Sequence, residues 1–292
     1  MKALLFLLAT ALSFSFLAYI NIPVDKAVMT PELLWKLGRV SGLGVSSDGK
    51  FVLYSVSTPD ATANKSSRKT YAIPVTGGTP VQVSNADSML KNEKKSPDGK
   101  YLISHAEVKI KKLTGKEYYS DLPKSNVYIF DNLNYRHWDT YEDGNFDHVM
   151  LTPLVNGSPS GQPIDLMPGE PHDCPQKPFG GDEDYVWNPN SREVVYCTKK
   201  KYGKDYAVST NTDLFAYNIE TGKTRNLTEG MMGFDINPSF NSKGELAWLS
   251  MKRDGYEADK NDIVAKAGPS VINLTQHWDG TVLGFVWSTD GR

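Results

Sequence analysis

The chain has 292 residues, of which 39% are hydrophobic, and its formal net charge is −2. This length and composition fit one large all-β domain or two small domains around a hydrophobic core. The near-neutral charge provides no basic field, so no nucleic-acid partner is expected.

The first 18 residues have the pattern of an export signal. Lys2 is followed by an almost wholly apolar, uncharged stretch from Ala3 to Ala18. This stretch is shorter than the ~20 residues that a membrane-spanning helix needs. It is typical of a signal peptide, and Ala18 suits the small position before a cleavage site. We therefore expect a periplasmic or secreted protein without a membrane span after cleavage.

Residues 19–42 are predicted to form a linker with one short helix. Thr30 suits an N-cap, Pro31 suits the first helical position, and Gly38 suits the end of the helix. Beyond this point helical periodicity nearly vanishes. Short alternating apolar runs between Gly, Pro, Asn and Asp predict strands and tight turns.

An internal repeat runs through the remainder of the chain. The segment from Ser46 to Tyr54 recurs from Ser96 to Ser104, and weaker copies begin at Asn188, Asn241 and Trp287. The third residues of the turns lie at 48, 98, 190, 243 and 290, so the gaps are 50, 92, 53 and 47 residues. A period near 50 is typical of the four-stranded blades of a β-propeller. Asp and Gly favour the tight turn, and the alternating run after it favours a blade strand.

The predicted fold is therefore an all-β, incomplete β-propeller over residues 43–292, with about four blades and the start of a fifth. The gap of 92 residues is either one blade with a long insertion or two blades with a degenerate turn. We favour an insertion within 104–187, and we expect two strands in this region, at Asn126–Asp131 and His148–Val155, with a polar and aromatic segment between them. The repeat that stops at Arg292 leaves a blade edge unpaired, which predicts a fragment of a longer protein.

The sequence shows no catalytic motif. The Gly-x-Ser-x-Gly pattern of α/β-hydrolases is absent, and the five histidines lack the i, i+4 spacing of a helical metal pair. Cys174 and Cys197 match no zinc pattern; they form either one disulfide or two free buried thiols. We expect no catalytic residue, metal or cofactor in this chain.

Two loops combine aromatic and charged residues, from Tyr135 to Gly144 and from Ser250 to Asp259. Salt-bridged packing between blades explains such loops. The alternative is an anionic patch that binds the cationic end of a ligand.

Several of these segments resemble known proteins. The Ser-Pro-Asp-Gly-Lys turn resembles those of TolB and prolyl oligopeptidase propellers. The segments Arg136–Asp139, Phe179–Gly181 and Trp248–Asp259 resemble the N-terminal half of the secreted dipeptidyl-peptidase 5 group of serine peptidases (family S9).

This resemblance implies a propeller that gates access to an α/β-hydrolase domain, whose Ser-His-Asp triad removes dipeptides from peptide N-termini. The triad belongs to a C-terminal domain that this chain lacks, so the chain alone is expected to be inactive. An exopeptidase must bind the substrate's α-ammonium group, and a carboxylate is its natural partner. Glu142 and Glu257, in the two unusual loops, are the candidates.

Two other functions remain open at this point. One is a non-catalytic periplasmic propeller that binds partners as TolB does. The other is a self-contained propeller enzyme. The oligomeric state, the dipeptide preference and the full length of the protein are not determined by the sequence.

Overall fold

The computed structural model describes residues 28–268 and 270–291. The predicted signal peptide, residues 1–18, and the first part of the predicted linker lie outside the described residues. The first described helix, α1 (Pro31–Lys36), begins where the sequence predicts it. Thr30 Oγ1 accepts a hydrogen bond from the backbone N–H of Leu33 at 3.2 Å, and Pro31 occupies the first turn, which needs no amide donor.

The chain divides into two compact units, up to Lys91 and from Asn92 onward. The first unit contains one antiparallel sheet, whose first strand begins ahead of the predicted boundary at residue 43. Its strands, in sheet order, are β1 (Arg39–Val45), β2 (Phe51–Asp60), β3 (Lys65–Pro74) and β4 (Val81–Val83), followed by helix α2 (Ala86–Met89). Leu53, Ala72 and Ala86 form the small core of this unit.

The second unit contains three more four-stranded antiparallel sheets. The first of them, with the insertion that it carries, comprises β5 (Tyr101–Lys109), helix α3 (Gly115–Tyr118), β6 (Arg136–His137), β7 (Thr140–Tyr141), β8 (Asn145–Val155), β9 (Ser158–Pro159) and β10 (Ile164–Asp165). The next comprises a 3-10 turn (Asp182–Asp184), β11 (Tyr185–Trp187), β12 (Glu193–Thr198), helix α4 (Gly203–Val208), β13 (Asp213–Asn218) and β14 (Lys223–Asn226). The last comprises β15 (Asp235–Phe240), β16 (Leu246–Ser250), β17 (Asp262–Ala267) and β18 (Ser270–Asn273).

Strand β12 shows how neighbouring sheets share their cores. Successive side chains of a strand point to opposite faces. Val194 and Tyr196 enter the core that includes β5 and β8, whereas Val195 and Cys197 enter the core that includes β16 and β17. All four side chains are fully buried. Burial on both faces is the packing expected of a blade that stands between two others.

The two strongest copies of the repeat form the same turn. In the first, Asp48 Oδ1 accepts hydrogen bonds from Ser46 Oγ at 2.6 Å and from the amide of Lys50 at 3.1 Å. In the second, Asp98 Oδ1 accepts them from Ser96 Oγ at 2.7 Å and from the amide of Lys100 at 3.2 Å. The glycine that follows each aspartate has a positive φ, 71° and 74°, which glycine adopts without steric cost.

A single four-stranded sheet occupies the long gap between the second and third turns. Strand β5 pairs directly with β8, and residues 110–144 form the insertion between them. The predicted strand at Asn126–Asp131 is wrong. That segment makes only an isolated bridge between Thr114 and Tyr128, because its amides and carbonyls bond to the loop at Leu113–Gly115 rather than to a sheet edge. The other predicted strand is present and begins earlier, at Asn145.

The described residues thus form four four-stranded antiparallel sheets in chain order, with four short α-helices where the sequence predicts one. The all-β fold class is confirmed. Within residues 28–268 and 270–291, no helix has the length and apolar character needed to cross a membrane.

Candidate functional site

The insertion between β5 and β8, together with residues near Asp173 and Tyr202, lines a cleft with a volume of about 70 Å³. Basic, aromatic and acidic side chains line it, among them Lys111, Phe130, Glu142, Asp173, Tyr202 and Tyr206. The glycine before β8, Gly144, lets the chain return to the sheet. Its carbonyl accepts bonds from the amides of Ile110 and Lys111, and a Cβ there would overlap the Lys111 carbonyl.

Glu142 lies on the lining of this cleft, at the base of the β6–β7 hairpin. Its amide donates to the carbonyl of Tyr135 at 2.9 Å, which closes the hairpin. The side chain is half-buried, and among the described residues no group donates a hydrogen bond to its carboxylate or forms an ion pair with it. Burial, and then the negative charge of Asp173, raise the pKa of Glu142 above its ordinary value, whereas Lys177 and Lys111 oppose that shift.

Asp173 is a second carboxylate of the cleft, and the sequence did not single it out. It is 5% exposed. Its Oδ1 accepts a hydrogen bond from the amide of Asp147 at 2.9 Å and pairs with Lys177 Nζ at 3.0 Å. Burial raises the pKa of Asp173 despite these partners. Unlike Glu142, Asp173 is thus already engaged by a cation of this chain.

Lys177 holds this part of the cleft together. Its Nζ also reaches Asp147 Oδ2 at 3.3 Å. Burial lowers the pKa of Lys177, but the charges of Asp173 and Asp147 outweigh burial and leave the pKa raised. The ammonium group therefore stays charged and is shared by two carboxylates. Of the other carboxylates that line the cleft, Asp131 is exposed and accepts a hydrogen bond from Asn132, whereas Glu142 is half-buried and has no cationic partner among the described residues.

Aromatic side chains also line the cleft. Lys111 Nζ lies 4.3 Å from the centre of the Tyr202 ring. The hydroxyl of Tyr206 accepts a hydrogen bond from Gln176 Nε2 at 3.0 Å, and burial, with the charge of Asp173, raises the pKa of Tyr206 to about 12. Tyr206 therefore stays neutral at physiological pH.

An open, aromatic depression of about 530 Å³ adjoins the cleft and shares residues Phe130 to Leu133 with it. Tyr128 stacks on Phe130 with ring centres 5.9 Å apart, and Phe130 packs against Tyr135 at 5.4 Å. A ligand with a cationic end and an apolar body matches this combination, because the carboxylate binds the charge and the rings bind the apolar part.

Glu257, the other candidate, lies elsewhere in the same unit. It is exposed in the loop after β16 and is not among the residues that line the cleft. Arg253 pairs with Asp259 in that loop, and Asp254 Oδ1 accepts hydrogen bonds from the amides of Thr210 and Asn211 at 2.8 and 3.1 Å. The loop is thus ordered by its own charges, as salt-bridged packing predicts, and the structure does not bring Glu142 and Glu257 together in the cleft.

Gly180 belongs to a segment that the sequence analysis singled out, and its conformation has a local cause. Asp184 Oδ2 accepts a hydrogen bond from the amide of Gln176 at 2.8 Å. A Cβ at Gly180 would overlap the Asp184 carboxylate and the backbone of Gln176. Glycine is required because two backbone stretches and a carboxylate meet at this point.

Cys174 and Cys197 are free and completely buried. Burial raises the pKa of both thiols well above the ordinary value. In the part of the chain that the structure describes, no three His, Cys, Asp or Glu side chains are grouped so as to hold a metal ion.

Comparison with known proteins identifies relatives of this chain. The dipeptidyl-peptidase 5 of Porphyromonas gingivalis is 33% identical over 277 residues, covering 79% of this chain and 40% of that protein. The dipeptidyl-peptidase 5 of Porphyromonas endodontalis is 31% identical over 280 residues, with 80% and 40% covered. No family model matches the chain. The chain spans about two fifths of the length of these relatives.

The fold is shared with a solved peptidase structure. The acylaminoacyl peptidase of Pyrococcus horikoshii aligns with a TM-score of 0.56 and 12% sequence identity, covering 85% of this chain and 41% of the peptidase chain. At this identity the match establishes the fold alone. The match confirms the predicted propeller-type fold, and the sequence comparisons show that the chain is a relative of dipeptidyl-peptidase 5.

Proposed function

We propose that this chain is the propeller portion of an exported serine dipeptidyl-peptidase, and that it controls which peptides reach a catalytic α/β-hydrolase domain elsewhere in a longer protein. The observation that carries the proposal is the 33% identity to a dipeptidyl-peptidase 5 over 79% of the chain. The coverage of that relative, 40%, leaves room for a catalytic domain. The signal-like residues 1–18 support export.

Within this function, Glu142 binds the α-ammonium group of the substrate. Its carboxylate is half-buried and unpaired in the described part of the chain, whereas the neighbouring Asp173 already has Lys177. A partly desolvated carboxylate gains more from a cationic ligand than an exposed one, since water screens the attraction less. Glu257 is exposed and lies off the cleft, so we rank it second.

The first experiment measures the native protein in its source. An antibody against this segment detects its mass and captures it, and a fluorophosphonate probe then labels any activated serine. We expect a species much heavier than 32.4 kDa that reacts with the probe. The captured protein should release the reporter from dipeptidyl amides and not from the matching N-acetylated dipeptidyl amides, because acetylation removes the ammonium group.

Other results would redirect the proposal. A species at or below 32.4 kDa that does not react with the probe would refute the peptidase and favour a non-catalytic binding protein. Equal cleavage of free and N-acetylated substrates would show a serine hydrolase that does not recognise the N-terminus, and would remove the role of Glu142.

A further inference from the structure

The tip of the β6–β7 hairpin has an unusual backbone. The strands are joined by a two-residue loop, Trp138–Asp139, and Trp138 has a φ of 48°. A positive φ at the first central residue of such a loop is normally provided by glycine, because a side chain there is sterically costly. Trp138 is nevertheless 67% exposed, so burial in a core does not explain a tryptophan at this position.

Trp138 meets a second exposed aromatic residue from a distant part of the chain. Its ring packs edge-on against Phe179, with ring centres 5.6 Å apart and an interplanar angle of 65°. Phe179 is 74% exposed. We call this pair the aromatic clamp. A costly backbone conformation that presents aromatic surface to solvent is typical of a binding site, since it does not serve stability.

The clamp and Glu142 are at opposite ends of one hairpin. The hydrogen bond between Glu142 and Tyr135 closes the base, and the pairs Arg136–Tyr141 and His137–Thr140 lie between the base and the tip. At ~3.3 Å per residue, the tip lies roughly 10 Å from Glu142 along the strand. This is about the length of three residues of an extended peptide.

We propose that the aromatic clamp binds the third residue of a peptide substrate and favours a large apolar or aromatic side chain there. The inference rests on the proposed function: with the α-ammonium group at Glu142 and cleavage after the second residue, the third residue is the first of the leaving peptide. A peptide substrate matches this arrangement in two places. The apolar side chain of its third residue contacts the exposed rings of Trp138 and Phe179, and its α-ammonium group lies at the unpaired carboxylate of Glu142.

The test compares substrates that differ only at the third residue. Pentapeptides with phenylalanine or glycine at that position, and a dipeptidyl amide with the same first two residues and a small non-aromatic leaving group, are assayed with the full-length protein. We expect the wild type to cleave the phenylalanine peptide with a kcat/KM about tenfold above that of the glycine peptide. Trp138→Gly and Phe179→Ala should bring this ratio close to one and leave the dipeptidyl amide within about twofold of the wild type.

Trp138→Gly is a favourable variant because glycine fits the positive φ, so the hairpin should keep its fold. Trp278→Ala is the matched control, since Trp278 is also an exposed tryptophan, at 54%, but follows β18 in the chain and is not part of the aromatic clamp. This control should keep the wild-type ratio.

The possible failures are distinct. If the wild type does not cleave the dipeptidyl amide, the proposed function fails and this inference fails with it. If cleavage occurs but the wild type shows no preference at the third residue, or the clamp variants keep that preference, only the clamp is refuted. A clamp that merely supports the loop would lower the melting temperature and the activity on all three substrates together, which would also overturn the inference.

Discussion

Replacement of Glu142 by glutamine tests the ammonium site directly. Glutamine keeps the volume and one oxygen acceptor of Glu142 but removes its charge. A hydrogen bond to a charged group contributes about 1.5 to 3 kcal/mol, and the half-buried position of Glu142 limits screening by water. We therefore expect KM for dipeptidyl amides to rise about tenfold to a hundredfold, with a smaller effect on kcat.

The pH dependence gives a second measurement of the same residue. Burial and Asp173 raise the pKa of Glu142 above its ordinary 4.5, so its carboxylate takes up a proton earlier as the pH falls. The protonated form no longer attracts an ammonium group. KM of the wild type should therefore rise as the pH falls through this raised pKa, and KM of Glu142→Gln should lack that rise.

Steady-state kinetics of the full-length protein, measured from neutral pH down to below the ordinary pKa of 4.5 of a glutamate, cover both effects. Glu257→Gln is the matched control, because it removes the same charge from the exposed loop. An unchanged KM in Glu142→Gln would refute the reasoning, and a large rise confined to Glu257→Gln would transfer the role to that residue.

Three further predictions concern the core, its pH response and the thiols. Trp248 is 1% exposed, and its Nε1 donates a hydrogen bond to Asp235 Oδ1 at 2.9 Å. Trp248→Ala should therefore lower the free energy of unfolding by about 3 to 5 kcal/mol, measured by denaturant unfolding. A loss below about 1 kcal/mol would contradict this prediction. Burial raises the pKa of Asp235 to about 7 from its ordinary 3.8, so the folded state binds the carboxyl proton of Asp235 more tightly than the unfolded state does. The free energy of unfolding therefore falls as the pH rises from about 3.8 to about 7. Asp235→Asn should remove that part of the decline and raise the melting temperature at pH 8 more than at pH 4; an equal change at both pH values would contradict it. Cys174 and Cys197 should not react with a thiol reagent in the native protein, and both should react after denaturation without a reductant; a disulfide found by mass spectrometry would show otherwise.

The sequence analysis recognised the blades because their signals are local. The Ser-x-Asp-Gly turn is held by hydrogen bonds between residues at most five positions apart, such as those of Ser46 to Asp48 and to Phe51. The positive φ of Gly49 also depends on that residue alone. The helix at Pro31–Lys36 was predictable for the same reason, because its cap and its first turn are adjacent in the chain.

The site was only partly predictable. The mixture of aromatic and charged residues drew attention to the loop that contains Glu142, but composition does not show whether a carboxylate is paired. Asp173 was missed because its role in the cleft depends on Glu142, which lies far from it in the sequence. The prediction of a strand at Asn126–Asp131 failed because alternation shows that a segment suits a sheet, not that a sheet edge is free to pair with it.

The amino-acid sequence by itself determined the blade turns, their period and the first helix, since these depend on dihedral preferences and hydrogen bonds between neighbouring residues. Only the tertiary structure decided that Glu142 is left without a cation, that Lys177 is shared by Asp147 and Asp173, and that Trp138 meets Phe179. Each of these arrangements depends on how separate segments of the chain pack against one another. Packing depends on the shape and burial of the whole unit, which no single segment encodes.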